Sequence, residues 1–215
     1  SYAQGDLDYM HKLVCRSAKF SAFLMIFFAV PIILEADTIL KIWLKTVPDY
    51  AAIFLQLIII SSFVDTVLAN SLVTSMFATG KIKRYQIIVT TVGCLVFPLS
   101  WISFELGMQP QAGYIIYFII YTILLGVRLY LLKDMVKLPV MMYVREVLFK
   151  VLPVIVISFV ILGMVVYLMN PSFIRLLIVC VTSVLTISIV EFFIGLTKQE
   201  KAFVLDKIKV VINKI

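Results

Sequence analysis

At 215 residues, 63% hydrophobic and 14% charged, with a mean hydropathy of +1.11, the chain is too apolar for a soluble globule; about half apolar and about a quarter charged would be usual there. The formal net charge of +7 does not point to nucleic acid, because the basic residues fall between hydrophobic runs and not on a polar face interleaved with aromatics. Cys15, Cys94 and Cys180 are odd in number and two of them lie inside apolar runs, which supports neither a disulfide frame nor a metal site.

Residues 1–17 read as a polar cytoplasmic segment. Residues 18–132 read as four transmembrane helices, the first from Ala18 to Leu40 with Pro31 inside it and Trp43 and Tyr50 as interfacial aromatics beyond. The second, Ala51 to Met76, is uncharged except for Asp65 and is long enough to cross a hydrocarbon core of about 30 Å. Gly80 should cap it. The third runs from Tyr85 to Phe104, with a bend expected near Gly93 and Pro98, and the fourth from Ala112 to Leu132. Residues 133–146 read as a basic cytoplasmic loop. Residues 147–196 hold two further spans separated by the turn Asn170-Pro171, and residues 197–215 read as an amphipathic tail with Phe203, Val204, Ile208, Val211 and Ile212 among lysines.

Through these spans all of the 19 lysines and arginines except Lys41, Lys45 and Arg175 fall on one side of the membrane. The positive-inside rule then places both ends in the cytoplasm. The chain opens on Ser1 in a polar stretch with no signal peptide, and it reads as a piece whose missing part lies N-terminal.

Asp65 is the residue that the second span has to explain, since a mid-membrane carboxylate costs at least about 2.5 kcal/mol unless it faces protein or water. Ser62, Thr66, Asn70 and Thr74 recur every fourth residue beside it and define a polar face. That face suits either a polar substrate or hydrogen bonding between helices. Arg128 reads as snorkelling to the nearby surface, with an anion ligand inside a cavity as the alternative. Glu35 should pair at the interface with Lys41 or Lys45, Glu191 reads as structural, and His11 as a residue outside the bilayer. No catalytic constellation, Gly-rich phosphate loop, cofactor motif or metal cluster is present in the sequence, and the outer loops are short. The chain reads as a transporter and not an enzyme.

Several stretches carry a resemblance: SYAQGD before the first span, ILKIWLKTVPDYAAIFLQL into the second, ATGKIKRYQ before the third, ELGMQPQAGYI before the fourth and TKQEKAF after the last. In this order and spacing the chain resembles the C-terminal part of Wzx-type bacterial polysaccharide flippases, of the superfamily that includes MATE exporters and the lipid II flippase. The resemblance implies an all-α integral membrane fold, with six transmembrane helices forming the C-terminal part of a two-lobed transporter of about fourteen spans. Four spans would belong to the second lobe and two would be accessory. It further implies a bacterial inner-membrane flippase that moves an undecaprenyl-pyrophosphate-linked oligosaccharide by alternating access, for O-antigen or capsule synthesis, without a cofactor. The partners implied are that lipid-linked substrate, the bilayer and the missing N-terminal lobe. Asp65, Ser62, Thr66, Asn70, Thr74 and Arg128 would line its cavity, and the missing lobe would carry the cations for the pyrophosphate. A MATE-like cation-coupled drug exporter and a membrane glycan polymerase or ligase are the alternatives.

Overall fold

A computed structural model of the chain describes residues 6–44, 46–80, 82–197, 200–202 and 206. Among them the chain is helical, with no strand, and six helices are long and apolar enough to cross a membrane. This is an all-α, multi-pass membrane protein. The spans are α1 (Leu7–Leu34); α3 (Ala51–Ser62) and α4 (Ala69–Phe77), joined by a π-helical segment Phe63–Leu68; α5 (Ile82–Cys94) and α6 (Val96–Glu105); α7 (Ala112–Val136); α8 (Val140–Tyr143) and α9 (Phe149–Leu168), joined by the π segment Val144–Leu148; and α10 (Phe173–Val190), which runs into the π segment Glu191–Gly195. The short α2 (Ala36–Trp43) lies between the first two spans.

All six spans expected from the sequence are present, with boundaries that differ at both ends of the first span and around residues 133–146. The first span starts at Leu7, inside the segment read as polar, because Asp6 caps it by accepting from the Tyr9 amide at 3.0 Å. It ends at Leu34 and not Leu40, where Glu35 leaves the helical conformation and α2 begins. Residues 133–146, expected to be a loop, are mostly helical. α7 runs on to Val136, Lys137 closes it in the left-handed conformation at φ 53°, and α8 begins after Pro139. Gly80, at φ +68°, does end the second span, and the third breaks at Leu95, just ahead of Pro98. The amphipathic tail lies almost wholly outside the described residues, as do Lys45 and Lys81.

α1 is the central post. Met10, Val14, Ala18, Ala22, Ile26 and Val30 recur every fourth residue and are all buried, and the alanines let neighbouring backbones approach closely. α1 packs against the second, fifth and sixth spans, while α7 packs against the second and third. The second span is therefore shared between the two groups. Tyr143 fastens it to the fifth span, its hydroxyl donating to the Leu68 carbonyl at 2.6 Å at the end of the π turn. His11, expected outside the bilayer, is buried between helices, and its Nε2 bonds the Val136 carbonyl at 2.8 Å.

Candidate functional site

α7 carries Tyr117, Tyr121, Leu124 and Arg128 at helical spacing, so all four project from one face. That face meets the second span where the chain widens into the π turn. π turns are uncommon insertions that shift the register of the helix beyond them, and here the insertion brings Asp65 toward α7. Arg128 Nη2 stands 3.6 Å from Asp65 Oδ1, and the Tyr117 hydroxyl donates to Oδ2 at 2.9 Å. Tyr117 in turn stacks on Tyr121, with ring centroids 4.1 Å apart.

Arg128 does not snorkel. Its residue is 9% exposed, and it lies eight residues before the end of α7, about 12 Å along the helix axis. The carboxylate in the second span gives the guanidinium a partner at depth, which outweighs the walk to the surface. One oxygen of Asp65 does not saturate it, and the buried Nε–H has no acceptor among the described residues.

Beside Arg128 a cavity of about 380 Å³ opens between the third and fourth spans. α5 lines it with Gln86, Thr90 and Cys94, and α7 with Tyr121 and Arg128. Gln86 donates to Thr90 at 3.2 Å. The cavity thus holds one cation, a phenol, an amide and a hydroxyl, a set that can hydrogen-bond an oxyanion or a sugar. A second hollow, of about 370 Å³, lies between α1, the second span and α9. Its lining is wholly apolar, with Ile26, Ile60, Phe63, Phe118 and Phe159 among its walls.

The polar residues chosen on the second span do not all share this place. Asp65 does, but Ser62 is half-buried and Thr66, Asn70 and Thr74 are exposed, and none of these four lines the cavity beside Arg128. Thr74 turns back to bond the Asn70 carbonyl at 2.9 Å. They form an open polar strip on the outside of the described bundle.

Glu35 is paired differently from the sequence expectation. Arg175 meets it from α10, Nε to Oε1 at 2.6 Å and Nη2 to Oε2 at 2.8 Å, and Thr38 donates to Oε2 at 2.6 Å. Lys41 is exposed and makes no ion pair among the described residues. Glu191 is half-buried in the last π segment, with Oε1 buried and lacking a partner.

Sequence reasoning missed Tyr117, Tyr121 and Gln86, although the spacing of the two tyrosines and Arg128 on one helix face was available to find them. It also missed the T-x-x-E capping box of Thr197 and Glu200, in which the Thr197 amide donates to Glu200 Oε2 at 2.8 Å and the Glu200 amide to Thr197 Oγ1 at 3.4 Å. No family model, curated protein or solved structure matches the chain.

Proposed function

We propose that this chain forms part of a flippase that carries a lipid-linked, pyrophosphate-bearing oligosaccharide across a bacterial inner membrane. The observation that carries the reading is Arg128, a cation held at membrane depth by Asp65 and opening onto a polar cavity. A guanidinium with unused donors is suited to phosphate oxygens, and the amide, hydroxyl and phenol around it are suited to sugars. The open strip of Thr66, Asn70 and Thr74 would face a second lobe, which would close the pathway and bring further cations for the diphosphate. The wholly apolar hollow beside α1 offers a lipid chain a place to lie while the head crosses. Both ends of the chain would be cytoplasmic, with the basic residues on that side. The role is transport and not catalysis.

A cation-coupled drug exporter is the second reading, favoured by the same Asp65 if its carboxylate exchanges Arg128 for a proton or a metal cation. Flux of an undecaprenyl-pyrophosphate oligosaccharide, measured in vesicles holding the complete protein, separates the two. Arg128→Gln should slow it at least about tenfold, the loss of one charged hydrogen bond. Unchanged oligosaccharide flux in that variant, together with flux of an organic cation that fails in Asp65→Asn, would establish the exporter instead.

A further inference from the structure

A cavity of about 410 Å³ opens at the basic end of the bundle, formed by residues other than those of the Arg128 site. α1 builds one wall, with Lys12, Arg16 and Lys19 on a single face, and Glu146 and Glu200 complete it from the fifth span and the start of the tail. Lys19 is already satisfied. It is 2% exposed and donates to Glu200 Oε2 at 2.6 Å, an oxygen that also accepts from the Thr197 hydroxyl at 2.9 Å. Arg16 is half exposed and reaches Glu200 only through Nε at 3.9 Å. Lys12 and Glu146 have no hydrogen bond or ion pair among the described residues. Among the described residues, the charges around the hollow that lack a close partner are Lys12, Glu146 and, apart from its 3.9 Å approach to Glu200, Arg16, with Cys15 and Met142 as the apolar part.

The depth of this cavity follows from the length of α1. Its 28 residues span about 42 Å, about 12 Å more than a hydrocarbon core. The uncharged run begins only at Phe20, so Lys12, Arg16 and the cavity between them and Glu146 stand at the level of the lipid headgroups.

We propose that this cavity binds the headgroup of a phosphoethanolamine lipid. The phosphate oxygens accept from Lys12 and Arg16, and the primary ammonium donates to Glu146. Lys12 and Arg16 suit the phosphate of any phospholipid, but only phosphoethanolamine also brings a primary ammonium to Glu146: a glycerol headgroup leaves that carboxylate without a cation, and a choline headgroup has no N–H to give. The assignment does not depend on what the protein transports.

The test is native mass spectrometry of the purified full chain in detergent, with phosphatidylethanolamine, phosphatidylcholine and phosphatidylglycerol of matched acyl chains competing at equal concentration. Phosphatidylethanolamine should be retained about tenfold over each of the others, the worth of one charge-assisted hydrogen bond. Glu146→Gln should erase its advantage over phosphatidylcholine, and Arg16→Gln should lower retention of all three lipids, with gel filtration reporting that each variant is folded. Equal retention of the two zwitterionic lipids by the unaltered protein, a preference for phosphatidylglycerol, or full selectivity surviving in Glu146→Gln would each overturn the proposal. Binding of soluble O-phosphoethanolamine as tightly as the lipid would overturn it too, by assigning the cavity to a metabolite.

Discussion

Arg175 grips Glu35 through two nitrogens, at 2.6 and 2.8 Å, across 140 residues of chain. Both side chains are nearly sealed, 9% and 0% exposed, and Arg175 Nη1 also donates to the Met169 carbonyl at 3.0 Å. The pair locks the end of the first span to the start of the sixth. Removing one partner strands a buried charge, so Glu35→Met and Arg175→Met should each cost about 3–5 kcal/mol of stability. Replacing both together by Met should restore most of the loss, because neither charge is then left unpaired. Unfolding of the four proteins in mixed detergent micelles gives the cycle. Additive losses would show that the ion pair is not what joins these ends.

Asp65 and Arg128 are held more loosely, at 3.6 Å and with a quarter of the Asp65 side chain exposed. Single neutral substitutions should therefore cost only about 1–2 kcal/mol, below the range for a sealed pair. Transport should respond more strongly than stability. Arg128→Lys keeps the charge but loses the planar fork, so it should restore only part of the flux lost in Arg128→Gln. Tyr117→Phe, which removes one hydrogen bond to Asp65, should have a smaller effect than Asp65→Asn. Full flux in Arg128→Gln with the expected stability loss would reduce the cluster to a structural clasp.

Glu200 ties the start of the tail to α1. Burial by itself pushes its carboxyl up, but the Lys19 ammonium and the Thr197 amide and hydroxyl hold it below the usual carboxylate range. A depressed carboxyl contributes stability that is fully present above its unfolded value, about 4.3, and is lost as pH falls through its lower folded value. At neutral pH the tie is therefore intact, and Lys19, 2% exposed, should resist an amine-reactive label. Glu200→Gln should open Lys19 to the label at neutral pH without acidification. Equal labelling of the two proteins would show that the tail's first turn does not depend on this carboxylate.

The bilayer is the reason so much of the fold was legible. It demands about twenty apolar residues per crossing and penalises every charge between them, so six hydrophobic runs became six spans and Asp65 stood out as the lone acid of the second. Gly80 marked a break because, lacking a Cβ, it takes the left-handed φ of +68° without strain, and Pro98 because it has no N–H for the carbonyl four residues back. Local reading failed where the deciding partner is distant in sequence. Lys41 lies six residues from Glu35 and looked like its partner, yet Arg175 reaches it from the sixth span. Arg128 was expected at the surface because Asp65 could not be seen opposite it. The π turn at Phe63–Leu68 has no signature in the residue pattern, and so the regular spacing of Ser62, Thr66, Asn70 and Thr74 suggested one wall where the chain divides Asp65 from the others. Residues 133–146 looked like a loop because they are charged, but α7 and α8 simply project beyond the apolar core as helices.

Gly195, in the last π segment, is pressed against the Phe23 ring of α1. A Cβ there would overlap the tip of the ring, with Phe23 Cε2 at 2.9 Å and Cε1 at 3.2 Å. Phe23 is 3% exposed, so the ring has no route into lipid or water. Gly195→Ala should cost about 1–3 kcal/mol through overpacking. Phe23→Leu alone should also destabilise, by about 1 kcal/mol, since it removes buried ring contacts. Combined with Gly195→Ala the same Leu makes room for the new methyl and should stabilise, so its sign reverses with the residue at position 195. Gly126→Ala is the control, since a Cβ there meets nothing within 4 Å and Ala is the better helix former. Thermal unfolding of the set in one detergent reads all four comparisons, and a loss in Gly126→Ala equal to that in Gly195→Ala would mean that backbone freedom, and not the Phe23 contact, is what the glycine supplies.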